Sequence, residues 1–223
     1  MIFDAPRPWD NLPLRLSNEE ISQPYEVIHD FFSAFEKHRT ITILQRWLYS
    51  VCSNKKCKES PSTLLFFYEK IEYLIEAAYL ISQLNNSERK AVLQNDSKNE
   101  DFNIMSAEYF CAWGSSKFTQ NPAKLIWQDF PRSLNTKEFF NPYSVFKKTF
   151  RFYSLGEWRQ ELSNLFNMAL SKESLLDDGL DTDILSVEKY LLKLIDASHL
   201  IDIREFRLDY VTSINGKASE DNG

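Results

Sequence analysis

The segment "DASH" at 196–199 sets an aspartate and a histidine three residues apart, which brings both side chains to one face of a helix. A carboxylate and an imidazole in that arrangement can ligate a metal ion. A carboxylate-bridged centre in a helical bundle takes such a pair from each of two helices, and further glutamates from two more. The corresponding residues elsewhere in this chain are Glu76 and Tyr79, with Glu69 and Glu72 on neighbouring turns, so the second histidine is missing. The sequence therefore predicts no bound metal and no cofactor. Asp196 and His199 stand as the alternative, the seed of a metal-dependent enzyme.

The other histidines offer less. His29 aligns with Lys147 in the repeat described below and is expected at a solvated position. His38 falls in "EKHRT", read as a hinge. Helical nucleases that cut with an arginine followed four to six residues later by a histidine find no counterpart here. His199 precedes Arg204, and the residue six before His199 is Lys193. The acidic run "LLDDGLDTD" at 175–183 lacks the glycine at position six and the oxygen ligand at position three that a calcium loop needs. It reads instead as acidic capping of the helix that follows. No glycine-rich phosphate loop, nucleophile elbow, zinc pattern or dinucleotide fingerprint occurs. No catalytic residue is assigned, and the balance favours a protein that is not an enzyme.

Binding candidates are of two kinds. "FKKTFRFY" at 146–153 interleaves Lys147, Lys148 and Arg151 with aromatics, so an amphipathic helix would turn the cations outward. Such a face is a potential phosphate contact. Tyr109, Trp113 and Trp127 belong to a stretch with nine aromatics between Phe102 and Phe140, more than a connector requires. Aromatics exposed together mark interaction surfaces. The competing expectation is that they seal the junction between two halves.

Those halves are what must position the candidates. "QPYEVIHDFFSAF" from Gln23 and "NPYSVFKKTFRFY" from Asn141 match at an offset of 118, and the match continues through Leu44 with Leu162 and Trp47 with Leu165. Beyond a loop the offset becomes 120, where "IEAAYLI" at 75–81 lies over "IDASHLI" at 195–201. Three matches in one order predict an internal duplication, with each copy holding three helices. Pro24, Pro142 and Pro61 mark helix starts, since proline at the first helical position gives up an N–H that has no intrahelical partner. Ser154 with Glu157 forms a capping-box pattern, and the third helices are expected to begin near Ser60 and Asp181 or Thr182. Phe32 and Phe150 are expected in equivalent core pockets.

The predicted fold is all-α: an internally duplicated helical bundle, copies at about 23–84 and 141–203, in one globular domain over 1–223. Its divisions are copy one 17–84, an aromatic-rich helical or loop insertion 85–140 with a short helix from Pro122, copy two 141–211 and a flexible tail 212–223. Residues 1–16 read as an extended arm. Five glycines and eight prolines are too few for an all-β protein built on tight turns. Three cysteines without a CxxC pair read as reduced thiols of a cytoplasmic protein. Apolar runs are too short to cross a membrane, and the N-terminus has no secretory pattern. The net charge is −6, and residues 17–84 carry seven basic against nine acidic side chains. This balance disfavours a dedicated nucleic-acid binder. The leading expectation is a non-catalytic helical protein that binds a macromolecular partner, a protein in a regulatory role. The alternative is a nucleic-acid-associated factor of a mobile element or defence system, using Lys147, Lys148 and Arg151.

Overall fold

The computed structural model describes residues 8–53, 55–85, 130–171 and 183–203. Among these the chain forms eight α-helices and no strand. α1 (Asn18–Ser22) is a single short turn closed by a capping box in which Ser17 and Glu20 satisfy each other's backbone donors. α2 (Pro24–Ala34) opens on Pro24, and α3 (Lys37–Val51) follows after a two-residue break. α4 (Pro61–Gln83) is capped by Ser60, whose side chain accepts from the Thr63 N–H. α5 (Thr136–Phe140) repeats the capping box with Asn135 and Glu138. α6 (Tyr143–Phe152) has Pro142 in the cap position, one residue earlier in the helix than Pro24 stands in α2. α7 (Leu155–Leu170) carries the expected Ser154–Glu157 box. α8 (Ile184–Asp202) starts from Asp183; Asp181 and Thr182 lie outside the described residues.

The apolar stripes face one shared core. Trp47, Trp158, Tyr143, Phe31, Phe67 and Phe146 are all fully buried in it. α4 packs on α2 in its own half, and on α6 and α7 of the other half. α8 packs on α6, and on α2 and α3. α3 and α7 face each other, and the Trp47 indole N–H donates to the Leu165 carbonyl at 3.0 Å. α4 and α8 thus each pack on helices from both parts of the chain, and all the stripes share one core.

Residues related by the sequence offsets meet one another. Tyr25 and Tyr143, 118 apart, share a hydroxyl hydrogen bond of 3.2 Å. Phe32 stands edge-on to His199 at 4.9 Å, and Phe150 stands edge-on to Tyr79 at 5.1 Å. These are the same pair taken once in each direction, because Phe32 aligns with Phe150 and Tyr79 with His199. Their burial differs: Phe32 is in the core, while Phe150 is only half-buried. The correspondence also runs upstream of Asn141. Pro13, Ser17 and Glu20 match Pro131, Asn135 and Glu138 at 118, and both capping boxes form.

Residues before α1 lie along α4 and α7. Gly156, in the first turn of α7, lets the chain near Asp10 come close; a Cβ there would stand 2.8 Å from that of Asp10. The Arg159 guanidinium then donates to the carbonyls of Asp10 and Leu12.

Candidate functional site

Asp196 and His199 are both buried, and neither faces open space. Asp196 Oδ1 pairs with Lys37 Nζ at 2.7 Å, and its Oδ2 accepts from the Ser133 N–H and hydroxyl at 2.8 and 2.6 Å. Lys37 Nζ also donates to the Phe130 carbonyl at 2.8 Å. The carboxylate is consumed by these contacts, which pin the segment before α5 to α8. His199 faces the Phe32 ring. Among the described residues no group of three or more His, Cys, Asp or Glu side chains is placed to hold a metal.

Glu76, aligned with Asp196, does the same work in the other half. It accepts from the backbone N–H groups of Leu14, Arg15 and Leu16 at 3.0, 2.8 and 3.1 Å, and pairs with Arg159 at 2.8 Å. Arg15 and Ser133, whose N–H groups reach the two carboxylates, are again 118 apart. Each third helix therefore uses one buried acid to anchor the strand of chain before its half, and a cation from the other half's second helix neutralises it. A buried charge tolerates desolvation only when so paired and hydrogen-bonded. Beside Glu76, Glu72 pairs with Arg15 at 2.8 Å and accepts from the Tyr68 hydroxyl at 2.9 Å. Burial lifts the Glu72 carboxyl above its ordinary value, although Tyr68 and Arg15 offset part of that. Burial, then the Glu72 charge, pushes Tyr68 up to about 12.

Two sequence expectations are revised. His29 is only partly exposed, because its Nδ1 lies 2.8 Å from Asp202 Oδ1, a buried carboxylate on α8. His38 is in the first turn of α3 rather than in a hinge, since the break falls earlier, at Phe35 and Glu36.

The basic face of α6 divides. Lys148 bends to Glu138 at 2.7 Å, and Lys193 from α8 joins on the other oxygen at 2.6 Å. Burial raises the Glu138 carboxyl, but the hydrogen bonds from the two lysines and the Asn135 N–H outweigh it and hold it below the ordinary range. Lys147 and Arg151 line a polar cleft of about 580 Å³ with Phe150 and the end of α4, 82–85. Tyr109, Trp113, Trp127, the Pro122 helix and most of the calcium-loop run lie outside the described residues.

A second cleft was not foreseen. A groove of about 630 Å³ runs between the exposed stripe of α3, the 55–58 loop and the first turn of α8. Its lining joins Tyr49 and Leu185, 61% and 74% exposed, to four cations, Arg46, Lys55, Lys56 and Lys58, and one acid, Glu188. Arg46 is held by Glu59 at 2.6 Å. Cys52 also lines it, and burial followed by the Glu188 charge holds that thiol above its ordinary value.

The anchoring residues Lys37, Arg15, Arg159, Ser133 and Glu138 were also missed. Following the 118 offset upstream past Asn141 pairs Ser133 with Arg15 and Glu138 with Glu20, a signal for the segment though not for its partners. For the groove the available signal was the "KKCK" run between two helices, with Tyr49 outside the buried stripe of α3. Comparison with protein-family models, curated proteins and solved structures finds no match.

Proposed function

We propose that this protein is a non-catalytic, internally duplicated helical scaffold that holds a macromolecular partner in the groove between α3 and α8. The single observation behind this is that the tyrosine and arginine lining this groove have no counterpart of their kind at the matched positions of the other half. Both halves turn apolar residues outward at the same end: Leu65 matches Leu185 and Leu170 matches Cys52, and all four are exposed. Yet Tyr49 and Arg46 correspond to Asn167 and Asn164. Anchoring acids, the Ser17–Glu20 and Asn135–Glu138 capping boxes and the crossing rings recur in both halves. Tyr49 and the lysines of the 55–58 loop take no part in that shared set of anchoring and capping contacts. Asp196 supports no metal chemistry in this reading, because Lys37 and Ser133 already occupy its oxygens. Cysteine usage supports a cytoplasmic setting.

A nucleic-acid reading draws on a different observation, the pairing of Lys147 and Arg151 in the cleft beside α4. One experiment separates the two. Tagged protein is recovered from the cells that make it, as wild type, as Tyr49→Ala with Leu185→Ala, and as Lys147→Glu with Arg151→Glu. The groove reading expects a stoichiometric companion lost only from the first variant. A companion lost only from the second variant, or none with wild type, would contradict it.

A further inference from the structure

We infer that the groove between α3 and α8 recognises an acidic protein segment bearing apolar side chains. This rests on the partner-binding reading above and gives the partner its chemistry. The lining is mostly apolar, and Tyr49 and Leu185 are the two most exposed large apolar side chains among the described residues. Large exposed apolar groups that lie together are the part of a surface that gains most from being covered. The cations set the charge. Glu188 lines the groove as its one acid, but among the described residues no carboxylate lies within ion-pair distance of Lys55, Lys56 or Lys58, whereas Arg46 already has Glu59. Three cations in four residues repel one another, and an anionic partner relieves that repulsion. Such charges favour encounter and orientation more than raw affinity.

The two features together select among polyanions. Nucleic acid asks for a longer basic track and for several stacking rings. Here the lining offers one ring beside aliphatic groups, and the chain as a whole carries −6, which repels a long polyanion. A short acidic segment carries fewer charges and brings apolar anchors to the groove. The α3 stripe from Thr42 to Cys52 spans roughly 15 Å at 1.5 Å per residue. That length matches about ten residues of helix, so the groove fits a segment of two to three turns.

The test uses full-length protein and fluorescein-labelled probes read by anisotropy. The first probe is a 12-residue peptide of Glu-Glu-Leu-Leu repeats. The others replace its glutamates by lysines, replace its leucines by glutamates, or are a 12-nucleotide oligothymidylate. The expectation is saturable binding of the first probe, weakened at least tenfold by Lys55→Glu, Lys56→Glu and Lys58→Glu together and by Leu185→Ser. The other three probes should bind at least tenfold more weakly. If the triple variant has an altered circular dichroism spectrum, Lys56→Glu alone replaces it, with at least a threefold loss expected. Tighter binding of oligothymidylate, equal binding of the all-glutamate probe, or no effect of the lysine variants would overturn the inference. A groove-dependent cellular companion alongside no peptide binding would refute only this chemistry. No companion and no peptide binding would refute both.

Discussion

At the scale of single residues, Asp196 and Glu138 illustrate how a buried acid becomes a structural fixture rather than a reactive one. Asp196→Ala strands the Lys37 ammonium in the core, and removing one partner of a buried pair typically costs about 3–5 kcal/mol. Chemical denaturation should show a loss of that size for Asp196→Ala. A double replacement, Lys37→Met with Asp196→Leu, should recover much of it. pH separates two buried carboxyls, Glu138 and Glu72, by sign. Glu138 lies below its ordinary value, so it contributes stability above the unfolded value, lost as pH falls through the lower folded one. Glu72 lies above, so its contribution is full below the unfolded value and is lost as pH rises through the folded one. Thermal midpoints from pH 3 to 7 should therefore show the gap between wild type and Glu138→Gln closing toward acid. The gap for Glu72→Gln should instead shift in favour of wild type toward acid. These roles were not legible in the sequence. "DASH" has the spacing of ligands, and only the arrival of Lys37 and Ser133 from distant segments decides what its aspartate does.

At the scale of elements, local signals were read well where they are local. Ser154–Glu157, Ser60 and Pro24 open helices for reasons contained within one turn, and all three do so. Ser154→Ala should cost about 1 kcal/mol, the usual worth of such a cap. The aromatic positions required the neighbours. Phe32 and Phe150 occupy matched places, but α4 offers Phe150 a tyrosine at its half-buried edge, while α8 offers Phe32 a buried histidine. Phe32→Ala should thus cost about 3–5 kcal/mol, the range for a buried ring. Phe150→Ala should cost clearly less, and equal losses in a denaturation series would contradict this assignment. Exposed Leu65 and Leu185 escaped periodicity, because each follows an apolar residue packed on the core, Leu64 buried and Ile184 partly buried, and looks like part of the same stripe.

At the scale of the whole molecule, an all-α fold was legible from sparse glycine, proline starts and repeated stripes. The packing of α4 and α8 on helices from both parts of the chain was not, since no spacing within a helix encodes which partner it meets. No helix among the described residues is long and apolar enough to cross a membrane. The central claim, which is a proposal, is that the groove lined by Tyr49 and Leu185 holds a partner and that the face around the matched Asn167 does not. Its most direct test places a photo-crosslinking phenylalanine analogue at Tyr49 and, separately, at the matched position Asn167, in the full-length protein inside the cells that make it. Irradiation should give one discrete macromolecular adduct at Tyr49, lost when Lys55, Lys56 and Lys58 are reversed to glutamate, and none at Asn167. Adducts of equal yield at both positions, or none at Tyr49, would contradict the account.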